Sequence, residues 1–169
     1  MKSLTRKLIS VLYLLLLITL PSLSQSDDYK KGNSMIEQNS TIEPFTLNDQ
    51  FGTTHTLEKM PRLLICSFGK GTGKLISSYF NAQIDEYLAL HDIKLMADVS
   101  GVPSLLRKTI ILPKMKKYSF EILLSTESKF SKSFPQKDDM LTVLKIQDTT
   151  VIDILFVKDE AELKATIEG

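Results

Sequence analysis

Few side chains in this sequence are of the types that perform chemistry, and their spacing limits what they could do. Cys66 is the sole cysteine of 169 residues, so no disulfide can form within the chain. It lies in the apolar run Leu63-Leu64-Ile65-Cys66-Ser67-Phe68. A thiol in such a run is expected to be a small buried hydrophobe; to act as a nucleophile it would need solvent access and a lowered pKa. Directly after it comes Gly69-Lys70-Gly71-Thr72-Gly73-Lys74-Leu75. A Walker A phosphate loop needs four residues between its glycines and a Ser or Thr after its lysine. This run has three, and then Leu75, which argues against a nucleotide loop. Backbone N–H groups at Gly71 to Lys74, with Lys70 and Lys74 beside them, could still attract a carboxylate or phosphate. The plainer alternative is that the glycines only permit a tight turn.

Other chemistry finds no support in the spacing. His55 and His91 are far apart, with no Cys or second His at ligand distance, so no metal is expected and both histidines are assigned structural or surface roles. No serine sits in a nucleophile elbow, no carboxylate pair declares itself, and no Gly-x-Gly-x-x-Gly follows a strand, so no cofactor is expected. Asp98 ends a strand-like run just before Ser100-Gly101-Val102-Pro103. Strand ends are where functional groups collect, although helix capping would account for Asp98 as well.

These residues must be positioned by regular elements, and hydrophobic periodicity predicts them. Leu63 to Phe68 reads as a central strand cut off by the glycines. Leu75, Ile76, Tyr79, Phe80, Ile84, Tyr87 and Leu88 recur at helical spacing and predict one long helix after it. Upstream, Ile42 to Leu47 and Thr53 to Leu57 alternate around Asn48-Asp49-Gln50-Phe51-Gly52 and predict a β-hairpin. Downstream, Ile93 to Val99 reads as a second core strand. A helix from Pro103 to Pro113 follows, capped by Ser100, with Leu105, Leu106, Thr109, Ile110 and Leu112 as its apolar face. Tyr118 to Leu124 reads as a third strand, and Ser125 to Asp139 as a short helix or irregular connection. Met140 to Ile146 and Val151 to Val157 form a second hairpin, and Asp159 caps a last helix. The pattern predicts an α/β fold with a mixed central sheet flanked by helices and extended by the N-terminal hairpin.

The chain's first residues follow a different logic. Lys2, Arg6 and Lys7 precede the apolar run Leu8 to Leu20, and Ser22 and Ser24 supply small residues at a cleavage site, so residues 1–24 read as a signal peptide cut after Ser24. The run is short for a spanning helix, which needs about 20 residues; a membrane link is expected only if this segment stays uncleaved. Residues 25–41 are polar and read as a flexible leader, with 42–169 as the folded domain. Removing residues 1–24 leaves 18 basic and 20 acidic residues, a net charge of −2. That charge gives no footprint for nucleic acid. The lysines at 114, 116, 117, 129 and 132 read as a solvated surface, and Asn39-Ser40-Thr41 is a glycosylation sequon that matters only in a eukaryotic secretory setting.

The element order, with Pro44-Phe45-Thr46-Leu47-Asn48-Asp49-Gln50-Phe51-Gly52 ahead of the first core strand, resembles the thioredoxin-like superfamily, and within it the peroxiredoxin and thiol-disulfide reductase branch. The resemblance runs from Ile42 to the C-terminus. It implies that a Cys-x-x-Cys pair, or a peroxidatic Cys after a Thr-x-x spacing, should open the helix; those positions are Thr72 and Leu75. It also implies a cis-proline at the position of Leu141, before Thr142. With both features missing, the chain is similar to small exported thioredoxin-fold proteins of Gram-negative bacteria without catalytic cysteines. The expected function is therefore a periplasmic or secreted, redox-silent binding or accessory module. Its ligand is an unidentified protein or a small anion, held by Lys70, Gly71, Thr72, Gly73, Lys74 and Asp98. The enzymatic alternative is a thiol-dependent oxidoreductase or one-cysteine peroxidase using Cys66.

Overall fold

The computed structural model describes residues 35–169; the expected signal peptide and most of the expected leader lie outside them. Leader residues that are described make contacts with the domain. Ile36 N donates to Ser133 O at 2.7 Å and Asn39 N to Val151 O at 2.7 Å, and Ile36 packs on the core.

The hairpin forms as β1 (Phe45–Asp49) and β2 (Thr54–Leu57), closed by a turn in which Gly52 adopts φ +91, a conformation that favours glycine. The apolar run becomes β3 (Leu63–Ser67), buried along its whole length. It is followed by β4 (Ile93–Asp98), a short β5 (Leu123–Ser125), and the antiparallel pair β6 (Leu141–Gln147) and β7 (Thr150–Val157). They make one seven-stranded sheet in the order β2-β1-β5-β4-β3-β6-β7. Strands β3, β4 and β5 are parallel, as helical crossovers require, while β6 and β1 pair antiparallel at their flanks. The mixed sheet, with its hairpin extension, is as the pattern predicts. The third strand is not: of the expected Tyr118–Leu124 strand only Leu123 and Leu124 pair in the sheet, joined by Ser125 beyond it.

Side-chain alternation along β3 divides the core. Leu63 and Ile65 face a layer made with Ile76, Tyr79 and Phe80 of α1 (Lys70–Phe80) and with Leu163 and Ile167 of α6 (Glu160–Glu168). Leu64 and Cys66 face the opposite layer, covered by Ile42, Leu57, Met60, Phe130 and Phe134. Asp159 caps α6 as expected, its Oδ1 accepting from Glu162 N at 2.9 Å.

Two helices differ from their patterns. The expected long helix stops at Phe80, and a separate short α2 (Tyr87–Leu90) follows; Ile84, assigned to the buried face, is exposed between them. The expected 103–113 helix runs on to 115 and is capped by Pro103, with no help from the Ser100 side chain. It consists of α3 (Ser104–Leu106), a π turn (Arg107–Ile111) and α4 (Leu112–Met115). Pro113 lacks an N–H, and its ring would strike the carbonyl one turn back. A widened π turn just ahead of it lets the chain pass the proline and continue. The inward face is Ile111, Leu112 and Met115, whereas Leu105, Leu106 and Ile110 face solvent. The fifth helix, α5 (Ser128–Ser131), is the short helix expected in the 125–139 connection.

Candidate functional site

The run after β3 enters α1 without a loop. Gly69 is the N-cap in an extended conformation, and Gly71 and Gly73 already lie inside the helix. None of the three has positive φ, so no strained turn calls for glycine there. Gly71 and Gly73, inside the helix, instead weaken its first turns by roughly 0.5–1 kcal/mol each relative to alanine. The helix start carries no acidic residue and no side-chain cap, while Lys70 and Lys74 stand exposed beside it. Its N–H groups and both ammonium groups therefore present positive potential on one side.

That side opens into a cleft of about 660 Å³. Gly69, Lys70, Gly71, Gly73 and Lys74 form one wall; Asp98, Val99, Gly101 and Val102 form the second; Ile111, Lys114, Met115 and Tyr118 form the third. Five of the six expected ligand residues are thus brought together. Thr72 is not among them. It is buried, its Oγ1 accepting from Gly69 N at 3.1 Å and lying 2.9 Å from Ser67 Oγ, so it fastens the helix start to β3. Thr72 instead borders a smaller hollow with Asp138, Asp139 and Met140. Asp98 is half-buried at the cleft, with Oδ1 accepting from Ser100 N at 2.9 Å. The third wall was missed in the sequence. The helical pattern put the apolar face at Leu105, Leu106, Thr109, Ile110 and Leu112, of which only Leu112 packs inward; the π turn ahead of Pro113 brings Ile111 and Met115 in beside it. Chemically, the cleft offers three lysines against one aspartate above an apolar floor, which suits a ligand with an anionic group and a greasy body.

Cys66 is absent from this cleft. It is fully buried and belongs to the layer on the other face of the sheet. Burial pushes its thiol well above the ordinary value, which disfavours thiolate. Only Ser67, its neighbour, faces the cleft.

No protein-family model and no curated protein matches the sequence. Solved structures do match. Peroxidoxin BcpB from Mycobacterium tuberculosis superposes with a TM-score of 0.54 at 16% identity, covering 79% of this chain and 95% of that one. A Bacteroides thetaiotaomicron protein assigned as a disulfide isomerase superposes at 0.53 with 14% identity, covering 80% and 90%. A Neisseria meningitidis protein assigned as a thioredoxin gives 0.50 at 11% identity, covering 78% and 89%. The chain has a thioredoxin-like fold. At these identities the likeness concerns the fold alone. Structures of this fold matched here carry names of thiol-disulfide and peroxide chemistry, whereas this chain has a single, buried cysteine.

One further cluster was not visible in the sequence. His55, which has no Cys or second His at ligand spacing, does have carboxylates beside it: its Nε2 lies 3.0 Å from Asp49 Oδ2 and 3.6 Å from Glu121 Oε2. The three residues offer ligand atoms within 4.8 Å of one another. The other oxygen of each carboxylate already has a partner. Asp49 Oδ1 accepts from Phe51 N at 2.8 Å and Thr53 N at 2.9 Å, and Lys94 Nζ donates to Glu121 Oε1 at 3.0 Å. Burial alone would raise the Asp49 pKa; the His55 hydrogen bond and the Thr53 and Phe51 N–H donors outweigh it and hold the carboxyl below its usual value. The cluster is a charge network that fastens the hairpin to the sheet.

Proposed function

We propose that this protein is an exported, periplasmic or secreted binding module on a thioredoxin-like scaffold without a working thiol. Its ligand is an anion with an apolar body, either a small molecule or the acidic end of a partner protein. The observation that carries this reading is the cleft: Lys70, Lys74 and Lys114 stand around apolar walls of Val99, Val102, Ile111 and Met115, where the helix start is uncapped. The bare glycines support it too, because they weaken the helix while keeping its start free of side chains. Export is supported by the sequence of residues 1–24 alone. The enzymatic alternative needs an accessible Cys66 of lowered pKa, and its complete burial on the other sheet face counts against it.

Decanoate, an alkyl chain ending in a carboxylate, is a suitable probe. In a titration followed by amide NMR shifts, perturbations should gather at residues 69–75 and 98–103. The double variant Lys70→Gln/Lys74→Gln should weaken binding roughly fivefold or more. Perturbations scattered over the surface, or unaltered affinity in the double variant, would refute the assignment.

A further inference from the structure

The outer face of the 104–115 helix poses a separate question. A surface helix ordinarily has one apolar stripe, turned to the core. This one has two. Ile111, Leu112 and Met115 pack inward, while Leu105, Leu106 and Ile110 point into solvent with 71%, 47% and 57% of their surface exposed. The same segment is strongly basic. Arg107, Lys108, Lys114, Lys116 and Lys117 fall within residues 104–117, with no acidic residue between Asp98 and Glu121. Lys108, Lys114, Lys116 and Lys117 are exposed, and Arg107 is half-buried, with Nη1 donating to Val99 O at 3.3 Å. This is a local excess of five cations in a chain whose total is 21 basic against 20 acidic residues.

We propose that this face docks on an anionic lipid surface. Apolar side chains flanked by lysines, on a helix lying along the surface, match the requirements of interfacial binding: the apolar face enters the headgroup boundary and the cations meet lipid phosphates. Charge complementarity selects this occupant over a second copy of the chain, whose identical face would bring Lys108, Lys116 and Lys117 against themselves. A membrane is also at hand, since the apolar run Leu8 to Leu20 behind Lys2, Arg6 and Lys7 directs the chain to one. The outer face is distinct from the cleft, whose wall is formed by the inner face of the same helix.

The test uses the full chain with Thr109→Cys labelled by an environment-sensitive nitrobenzoxadiazole; Cys66 is buried and stays unlabelled under native conditions. Thr109 is exposed among the three apolar residues, so the label reads this face and is insensitive to insertion of the N-terminal run. Phosphatidylglycerol vesicles at low salt should shift the emission to the blue, phosphatidylcholine vesicles should not, and high salt should reverse the shift. Lys108→Gln/Lys116→Gln/Lys117→Gln, which leaves the cleft's Lys114 in place, should lower the partition coefficient roughly 100-fold. Leu105→Ser/Ile110→Ser, with unchanged circular dichroism, should abolish the shift. The proposal is overturned by no shift on anionic vesicles, by an equal shift on zwitterionic ones, or by a concentration-dependent shift without vesicles, which would mean that a second copy covers the face.

Discussion

Cys66 shows how one residue's place in a strand decides what its chemistry can be. Alternation along β3 sends Leu64 and Cys66 to one face and Ile65 and Ser67 to the other. Bringing the thiol to the cleft would require a one-residue slip of the central strand, which would turn every neighbouring apolar side chain around with it. A disulfide reagent should therefore modify the native protein about 1,000-fold more slowly than the urea-unfolded chain, because reaction must await opening of the core. Cys66→Ala should lower stability by about 1–2 kcal/mol in urea titrations and leave decanoate binding unchanged. Asp49 is the second instructive residue. Its folded pKa is depressed, so its contribution is complete above the unfolded value of about 4 and is lost as pH falls through the lower folded value. Asp49→Asn should cost about 2 kcal/mol at neutral pH, and the gap to wild type should narrow in acid; a pH-independent gap would mean that the carboxylate charge is not what the hairpin uses. The burial of Cys66 was legible from its apolar neighbours. The Asp49–His55–Glu121 cluster was not, because sheet pairing of β1 with β5 joins residues remote in sequence.

At the scale of elements, the glycines of α1 and the proline of the 104–115 helix carry most of the difference between pattern and structure. The glycine run reads as a turn, yet two of its glycines are helical and unstrained. A Cβ at Gly73 would meet Ser67 Oγ at 3.6 Å and one at Gly71 would meet Asp139 Oδ1 at 3.4 Å, both ordinary contacts. Gly71→Ala and Gly73→Ala should each stabilise the protein by about 0.5–1 kcal/mol, a rise in Tm of a few degrees, while weakening decanoate binding by crowding the helix start. A fall in Tm would show that the glycines relieve a close approach. Helix existence was legible at both places from the spacing of apolar residues. Which face turns inward was not legible in the second helix, where the π turn shifts the stripe, and the first helix ended early, at Phe80, leaving Ile84 exposed.

For the whole molecule, the order of strands and helices was readable because β3 and β4 are short apolar runs bounded by glycine, proline or aspartate. Parallel pairing of β3 with β4, and of β4 with β5, then follows from the crossovers. The cleft was half readable. Its helix-start wall is contiguous in sequence, while the wall of Ile111, Lys114, Met115 and Tyr118 depends on tertiary packing. What the scaffold does with that cleft turns on whether any thiol chemistry survives in it. The most direct measurement follows the reduction of insulin by dithiothreitol and the consumption of hydrogen peroxide, with purified wild type and Cys66→Ala side by side. Both proteins are expected to match the protein-free rates in both reactions. A wild-type rate above that background which disappears in Cys66→Ala would contradict the proposed thiol-independent role and restore Cys66 as a catalytic residue.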